Sequence, residues 1–384
     1  MLRFIIRRVI RGLVAIVTFQ TALFFLIQAL PYDFATFLVL EPASRQMAQS
    51  TLGLDLPLWQ QYWNWLSGFF RFDLGSSFIA WPTPVSVMLL ERAPRTLILF
   101  LTGAILSYLL GIWLGKLIAW NRGGAFELGI TLIGVASYTS FAPFMGFVLI
   151  MVFAWRLRWL PYQRMIDHNY WYYVPVSLDW VLIRMGLTVI ILTVGFILLK
   201  LISRKIKSTP RRIAIQVSTW LVLLSAALVW WQQIGYWRQA FDVIEHMILP
   251  LSAVVLLSFG ETMLLMRTTM LESIEDEYVL TARAKGLPLH IIRDRHVARN
   301  AFLPVLTRLL LNLPLVLTGS LAIELVFEWQ AMGELIFLGI DYHDIPLLLG
   351  ILSVVGVLTL LGHIFMDILH VYLDPRLRYA GGYV

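Results

Sequence analysis

Eight apolar stretches, each twenty residues or longer, dominate this sequence. They cover approximately residues 9–30, 96–119, 128–154, 180–200, 213–232, 246–267, 303–327 and 346–371. A helix of roughly 20 apolar residues crosses a bilayer core about 30 Å thick. Because no backbone group can stay unpaired in hydrocarbon, each stretch is expected to be helical. The sequence therefore predicts an all-α integral membrane protein with about eight transmembrane helices.

Composition excludes several other classes of protein. Hydrophobic residues make up 59% of the chain and charged residues 14%, which is outside the range of soluble globular domains. The net charge of +7 does not indicate a nucleic-acid partner, because Lys and Arg lie between apolar runs and form no basic face. There is no Cys, and no GxxxxGK[ST], HExxH or GxSxG motif, so neither ATP binding nor catalysis is expected of this chain.

The distribution of basic residues predicts an orientation, since cytoplasmic flanks of membrane helices retain Lys and Arg. Basic residues collect in the first eleven residues, at Lys116 and Arg122, in the segment 200–212, and at Arg376 and Arg378. The segment 328–345 has four acidic residues and no basic one. Both termini are therefore expected in the cytoplasm, with a first helix that is retained because no small-residue cleavage site follows it.

Two connections are too long to be simple turns. The first, residues 31–95, is predicted to be external and to contain an amphipathic helix rich in aromatic residues, namely Trp59, Tyr62, Trp63, Trp65, Phe69 and Phe70. Such a helix either lies at the lipid interface as part of an aromatic belt or forms a docking surface for an external partner. The second connection, residues 268–302, is predicted to be cytoplasmic.

The segment 268–302 reads as two short helices separated by a turn at Gly286 and Pro288. Acidic residues at the start of the first helix (Glu272, Glu275, Asp276 and Glu277) and basic residues at its end (Arg283 and Lys285) suit the helix dipole. Periodicity alone leaves two interpretations open. The segment is either an ordinary exposed helix or an element that inserts into a groove on another protein.

Five further segments, together with this one, resemble a known family. The loop sequence EDEYVLTARAKGLP, followed by RHVARNAFLPV, resembles the coupling signature of permeases of binding-protein-dependent ABC importers, in the oligopeptide/dipeptide B-subunit form. The other similar segments occur in the same order as in that family: RFIIRRVIRGL, LGLDLPLWQQYWNWLSGFFRFDLGSSF, SFAPFMGFVLIMVFAWRLRWLP, ELVFEWQAMGEL and YLDPRLRY. The resemblance covers roughly residues 1–165 and 245–380.

This resemblance implies an ABC importer type I transmembrane fold in a bacterial or archaeal cytoplasmic membrane. It implies a second permease, two ATPase subunits that bind ATP and Mg, an external substrate-binding protein, and no cofactor in this chain. The implied substrates are di- or oligopeptides, with nickel chelates, sugars or another solute as alternatives. A secondary transporter is a weaker alternative, because no internal inverted repeat is visible. The implied coupling residues are Glu277, Tyr278, Ala282, Arg283, Ala284, Lys285, Gly286, Leu287, Pro288 and His296, where the small residues would let a partner approach closely.

The sequence departs from the family pattern at two places. Pro31 to Phe34 replace the usual turn after the first helix, and residues 170–244 form an extra helical hairpin with a basic loop. The chain is thus expected to divide into 1–30, 31–95, a first core part 96–169, the hairpin 170–244 and a second core part 245–384. The basic loop suits either anionic lipid headgroups or an accessory subunit.

A few ionisable or small residues lie within the apolar stretches. Glu261 and Glu324 are candidates for the translocation pathway, because charged groups inside membranes are costly and are often functional. Alternatively, they pair with Arg267 and Arg308 or line the seam between two permeases. Arg184 and His363 are weaker candidates of the same kind. Gly111 and Gly115 form a GxxxG pattern, which favours close helix contact.

Overall fold

A computed structural model describes residues 2–29, 56–203, 209–316 and 321–373 of the protein. Within these ranges every regular element is helical, apart from one isolated antiparallel bridge between Ser76 and Pro84. The predicted all-α class is therefore confirmed. Three predicted features lie outside the described residues: the turn at 31–34, residues 204–208 of the basic loop, and the C-terminal arginines.

The described ranges contain fifteen α-helices. The first eight are α1 (Leu2–Gln28), α2 (Leu58–Phe70), α3 (Val85–Trp120), α4 (Ala125–Tyr138), α5 (Ala142–Leu149), α6 (His168–Trp171), α7 (Leu178–Ser203) and α8 (Thr209–Ile234). The next seven are α9 (Trp237–Ile274), α10 (Glu277–Ala284), α11 (Leu289–Ile291), α12 (Ala298–Val316), α13 (Leu321–Val326), α14 (Met332–Asp341) and α15 (Ile345–Leu373). Two π-helical segments, Ile150–Arg156 and Ile292–Val297, extend α5 and α11.

Six of the described helices are long and apolar enough to cross a membrane: α1, α3, α7, α8, α9 and α15. A seventh span exists if α4 and α5 are counted together, although they meet at an angle of 111°. The predicted uninterrupted span over 128–154 is therefore wrong. Pro143 in the first turn of α5 accounts for the break, because its ring would clash with the carbonyl four residues earlier in a continuous helix. The predicted span over 303–327 falls on α12 and α13, between which residues 317–320 are outside the described ranges.

The helices α3 and α9 form the centre of the fold. A side chain at Gly111 would place its Cβ 2.7 Å from Cβ of Thr262, and one at Gly115 would place it 2.6 Å from the carbonyl oxygen of Met263. The predicted close contact through the GxxxG pattern is thus present. α3 begins at Val85, well before the predicted edge at residue 96. Its first turns contain charged residues, which lower the hydropathy, so the apolar stretch begins later than the helix.

The predicted aromatic helix of the segment 31–95 is present as α2. The hydroxyl groups of Tyr62 in α2 and Thr21 in α1 are 2.8 Å apart, so α2 lies along the end of the first span. Trp59, Trp63 and Phe70 remain more than half exposed. That arrangement is compatible with either a lipid interface or an external partner.

The predicted extra hairpin consists of α7 and α8, and two contacts link polar side chains within it. The indole N–H of Trp231 donates to Oγ1 of Thr188 at 3.2 Å. The guanidinium of Arg184 lies 3.7 Å from the ring centroid of Trp180, which shields its charge through a cation–π contact. Arg184 is therefore accounted for by aromatic stacking within the hairpin.

Candidate functional site: the loop of residues 268–302

The loop 268–302 consists of the end of α9, a two-residue turn, α10, a second turn, and α11 with its π-helical extension. The helix, break and short second helix that the sequence predicts are all present. The boundary of the first helix differs from the prediction. Glu272 belongs to the last turn of α9 and Glu275 caps it, so only Asp276 and Glu277 stand at the start of α10.

Gly286 ends α10 in a left-handed conformation, with φ of +70°. The N–H of Gly286 donates to the carbonyl of Arg283 at 2.9 Å, and the N–H of Leu287 donates to the carbonyl of Ala282 at 3.4 Å. This pair of bonds is the Schellman motif, which glycine favours because it has no Cβ. Pro288 then caps α11, so the direction of the second helix depends on this turn.

One face of the loop is packed against the membrane helices. Val279, Ile292 and Val297 are fully buried, and they contact a cluster that includes Met266 and Met270 of α9. Burial of each such side chain contributes roughly 1.5–3 kcal/mol. The loop is therefore held firmly to α9 as part of one hydrophobic core.

Ala282 belongs to this inward face, since only 5% of its surface is exposed. The expectation that its small size lets a partner approach is therefore wrong. Its size instead allows α10 to pack closely on the core. Leu287, Tyr278 and His296 are partly buried, and Leu287 and Tyr278 contact the same cluster.

The opposite face of the loop is exposed. Leu280 and Leu289 each retain 60% of their accessible surface. The remaining predicted coupling residues on this face are also exposed: Glu277, Arg283, Ala284, Lys285, Gly286 and Pro288. Two exposed leucines beside basic side chains outside the membrane spans form a surface suited to contact with another protein.

An ion pair that was not expected from the sequence joins the loop to α3. Nζ of Lys116 lies 3.0 Å from Oδ1 of Asp294, and Nε of Arg293 lies 2.9 Å from the same oxygen. The Arg293 guanidinium, and after it Lys116, lowers the pKa of Asp294 to about 2. Asp294 is therefore ionised throughout the physiological range. The sequence predicts only a basic flank at Lys116, because sequence spacing gives no signal for a partner so distant along the chain.

The two intramembrane glutamates have different surroundings. Oε1 of Glu261 accepts a 2.7 Å hydrogen bond from Arg308, and this half-exposed pair joins α9 to α12. The predicted alternative of pairing with Arg308 is thus confirmed for Glu261. It is wrong for Glu324, which is buried and accepts hydrogen bonds from Thr96 and from the N–H of Gly333. Arg267 binds Glu127 of α4.

Two family models match the chain. The family of binding-protein-dependent transport system inner membrane components matches residues 107–379. The N-terminal family of the membrane components of these systems matches residues 1–100.

Curated relatives match over almost their whole length. The oligopeptide transport system permease protein AppB of Bacillus subtilis is 25% identical over 99% of this chain and 100% of its own. The probable D,D-dipeptide permease DdpB of Escherichia coli is 29% identical over 98% of each chain, and the di/tripeptide permease DppB of Pseudomonas aeruginosa is 27% identical over 99% of each. The chain therefore belongs to the inner membrane components of binding-protein-dependent transport systems and is a multi-pass permease subunit of an ABC importer.

Proposed function

We propose that this permease imports di- or oligopeptides that an external binding protein delivers. It forms half of the pathway with a second, different permease, and each permease contacts one of two ATPase subunits. The peptide substrate is supported by the relatives, which are named for oligopeptide, D,D-dipeptide and di/tripeptide transport.

The two-sided loop 268–302 is the observation on which the coupling assignment rests. Its exposed face, with Leu280, Arg283 and Leu289, is the surface that a groove on an ATPase subunit receives. Its buried face, with Val279 and Ile292, is fixed to α9. A displacement of the loop by ATP-driven closure therefore moves α9 with it, as required for switching between inward-open and outward-open states.

The orientation of the permease in the membrane follows from the assignment of the loop 268–302 to the ATPase subunit. The loop and Lys116 at the end of α3 lie on the cytoplasmic side, together with both termini. The segment 328–345, which has no Lys or Arg, then faces the exterior. The positive-inside rule supports this placement.

The pair of Glu261 and Arg308 is assigned to the pathway. Both side chains are partly exposed, at 34% and 52%. An ion pair facing hydrocarbon is costly, so this surface is covered by water or by the partner permease. Glu324 is buried, and its role is to accept the hydrogen bonds that link α13 to Thr96 of α3 and to Gly333 of α14.

The test is purification and reconstitution with matched variants. The permease is expressed with its neighbouring subunits, and co-purification is compared between the wild type, Gly286→Trp and Gly123→Trp. Gly123 is the control because it also has a positive φ, of +78°, and also has no atom within 4 Å of an added Cβ. Complexes in liposomes are then supplied with ATP, loaded binding protein and labelled peptide.

Loss of the ATPase subunits from Gly286→Trp alone, together with ATP-dependent peptide uptake by the wild type, supports the proposal. Uptake of a sugar or a nickel chelate instead of peptide overturns the substrate assignment. Uptake by the chain alone, driven by an ion gradient without ATP, overturns the coupling assignment.

A further inference from the structure

Arg95 is a nearly buried cation at the outer end of α3, with only 4% of its surface exposed. Its Nε donates to Oδ1 of Asp179 at 2.7 Å, and its Nη2 donates to Oδ2 of Asp179 and to Oε1 of Glu91, both at 2.8 Å. Its Nη1 donates to the carbonyl of Gln330 at 3.1 Å. Four hydrogen bonds therefore meet at a single guanidinium.

The acceptor Gln330 belongs to a segment that we call the outer turn, residues 327–333, which connects α13 to α14 and includes the first two residues of α14. The indole N–H of Trp329, a fully buried residue, donates to the backbone carbonyl of Arg95 at 3.2 Å. The N–H of Met332 donates to Oγ1 of the adjacent Thr96 at 3.0 Å. The outer turn is thus attached to α3 through two consecutive residues of that helix.

Asp179 comes from α7, the first helix of the extra hairpin. It makes two of the three charged contacts to Arg95, in bidentate geometry, and its side chain is 25% exposed against 48% for Glu91. A bidentate carboxylate is the strongest and most directional partner of a guanidinium. Removal of Asp179 leaves a buried arginine whose orientation toward Gln330 is no longer fixed.

We propose that Asp179 is a positioning residue for transport, through which the hairpin orients Arg95 and so holds the outer turn in the conformation that the loaded binding protein engages. The hairpin is then a brace for the outer end of the permease. This role rests on the proposed import function, because that function assigns the outer turn to the exterior. It does not require an accessory subunit.

The test compares Asp179→Asn with a control at Asp242, a carboxylate of α9 that follows the hairpin closely in the sequence. Asp242 accepts hydrogen bonds from the indole N–H of Trp171 at 2.8 Å and from the N–H of Asp167 at 3.2 Å, and neither contact includes Arg95 or the outer turn. Asp242→Asn therefore weakens the attachment of α6 to α9 without removing a partner of Arg95. Asp179→Glu, which keeps the charge, serves as the conservative variant.

Two measurements are made on the assembled complex. The first is the concentration of loaded binding protein that gives half-maximal ATPase stimulation. We expect Asp179→Asn to raise it by about tenfold, the factor for one lost charge-assisted hydrogen bond, with Asp242→Asn near wild type and Asp179→Glu intermediate. The second is hydrogen exchange at the amides of 330–333, which we expect to accelerate in Asp179→Asn alone.

The proposed role of Asp179 is wrong if the two asparagine variants have equal effects, or if Asp179→Asn has no effect on either measurement. If the wild-type complex shows no stimulation by any binding protein, the proposed import function fails instead. The exchange measurement still tests the brace in that case, because it requires no binding protein.

Discussion

Ser77 donates a 2.6 Å hydrogen bond to Oδ2 of Asp344, and this bond joins the segment before α3 to the start of α15. The N–H groups of Phe78 and Ile79 donate to the same oxygen at 2.8 and 3.1 Å, and the N–H of Leu347 donates to Oδ1 at 3.1 Å. Asp344 is fully buried. One carboxylate therefore caps α15 and holds the segment before α3 in place.

The first prediction concerns this carboxylate. Asp344→Ala leaves four donors, two of them fully buried, without their acceptor. Since a hydrogen bond to a charged group contributes roughly 1.5–3 kcal/mol, we expect a loss of at least about 3 kcal/mol in the free energy of unfolding. The measurement is thermal unfolding of the purified permease in detergent. Asp341→Ala, at an exposed position three residues earlier, should change the midpoint little. Equal midpoints for the two variants would contradict the role given to Asp344.

The second prediction concerns the turn at Gly286. Its φ of +70° costs a side-chain-bearing residue roughly 1–2 kcal/mol, whereas Asn tolerates this region better than Ala or Val. We expect affinity for the ATPase subunits to fall in the order Gly, Asn, Ala, Val, measured by titrating the ATPase onto the immobilised permease. The same substitutions at Gly123 should leave that affinity unchanged. If the affinity falls instead in the order of side-chain size, Gly, Ala, Asn, Val, the backbone conformation at Gly286 does not determine the affinity.

The third prediction compares two contacts that fix the loop 268–302. Ile292 is fully buried, and we expect Ile292→Ala to cost about 2–5 kcal/mol and to weaken retention of the ATPase subunits. The Lys116 to Asp294 pair is 28% and 42% exposed, so Lys116→Met should cost less than about 1 kcal/mol. Thermal unfolding and co-purification measure both effects, and a larger loss for Lys116→Met would reverse the ranking.

The fourth prediction follows from the lowered pKa of Asp294, about 2 against an ordinary 3.8. A carboxyl whose pKa is lower in the folded state stabilises the fold fully above its unfolded pKa and loses that contribution only as the pH falls through about 2. Asp294 should therefore stay ionised between pH 5 and 8. We expect the ATPase activity of the assembled complex with Lys116→Met, divided by that of the wild-type complex, to stay constant over this range. A ratio that varies with pH would contradict the lowered pKa of Asp294.

Much of the fold could be predicted because hydropathy and charge act locally. The spans α1, α3, α7, α8, α9 and α15, the aromatic helix α2 and the break at Gly286 each follow from a few adjacent residues. The bend between α4 and α5 also had a local signal, since Pro143 follows Tyr138 closely. That signal was outweighed by the uninterrupted apolar run around it.

The contacts between distant residues could not be predicted in the same way. Arg95 and Asp179, Lys116 and Asp294, and Glu324 and Thr96 are each far apart in sequence, and no local pattern indicates which charges meet. The sequence also gives no indication that Ala282 faces the core. The sequence places small residues at 282, 284 and 286 but does not say which of them faces the core.

The fifth prediction distinguishes a pathway surface from a lipid-facing one at Glu261 and Arg308. If this half-exposed pair faces water, the double variant Glu261→Leu with Arg308→Leu should leave the unfolding midpoint in detergent almost unchanged and reduce peptide uptake. The charge reversal Glu261→Arg with Arg308→Glu should keep the 2.7 Å contact and retain more uptake than either single reversal. If the pair faced lipid, removal of both charges would stabilise the protein, since exposed charges in hydrocarbon are costly. A higher midpoint with undiminished uptake would therefore move this face of α9 and α12 from the pathway to the lipid boundary.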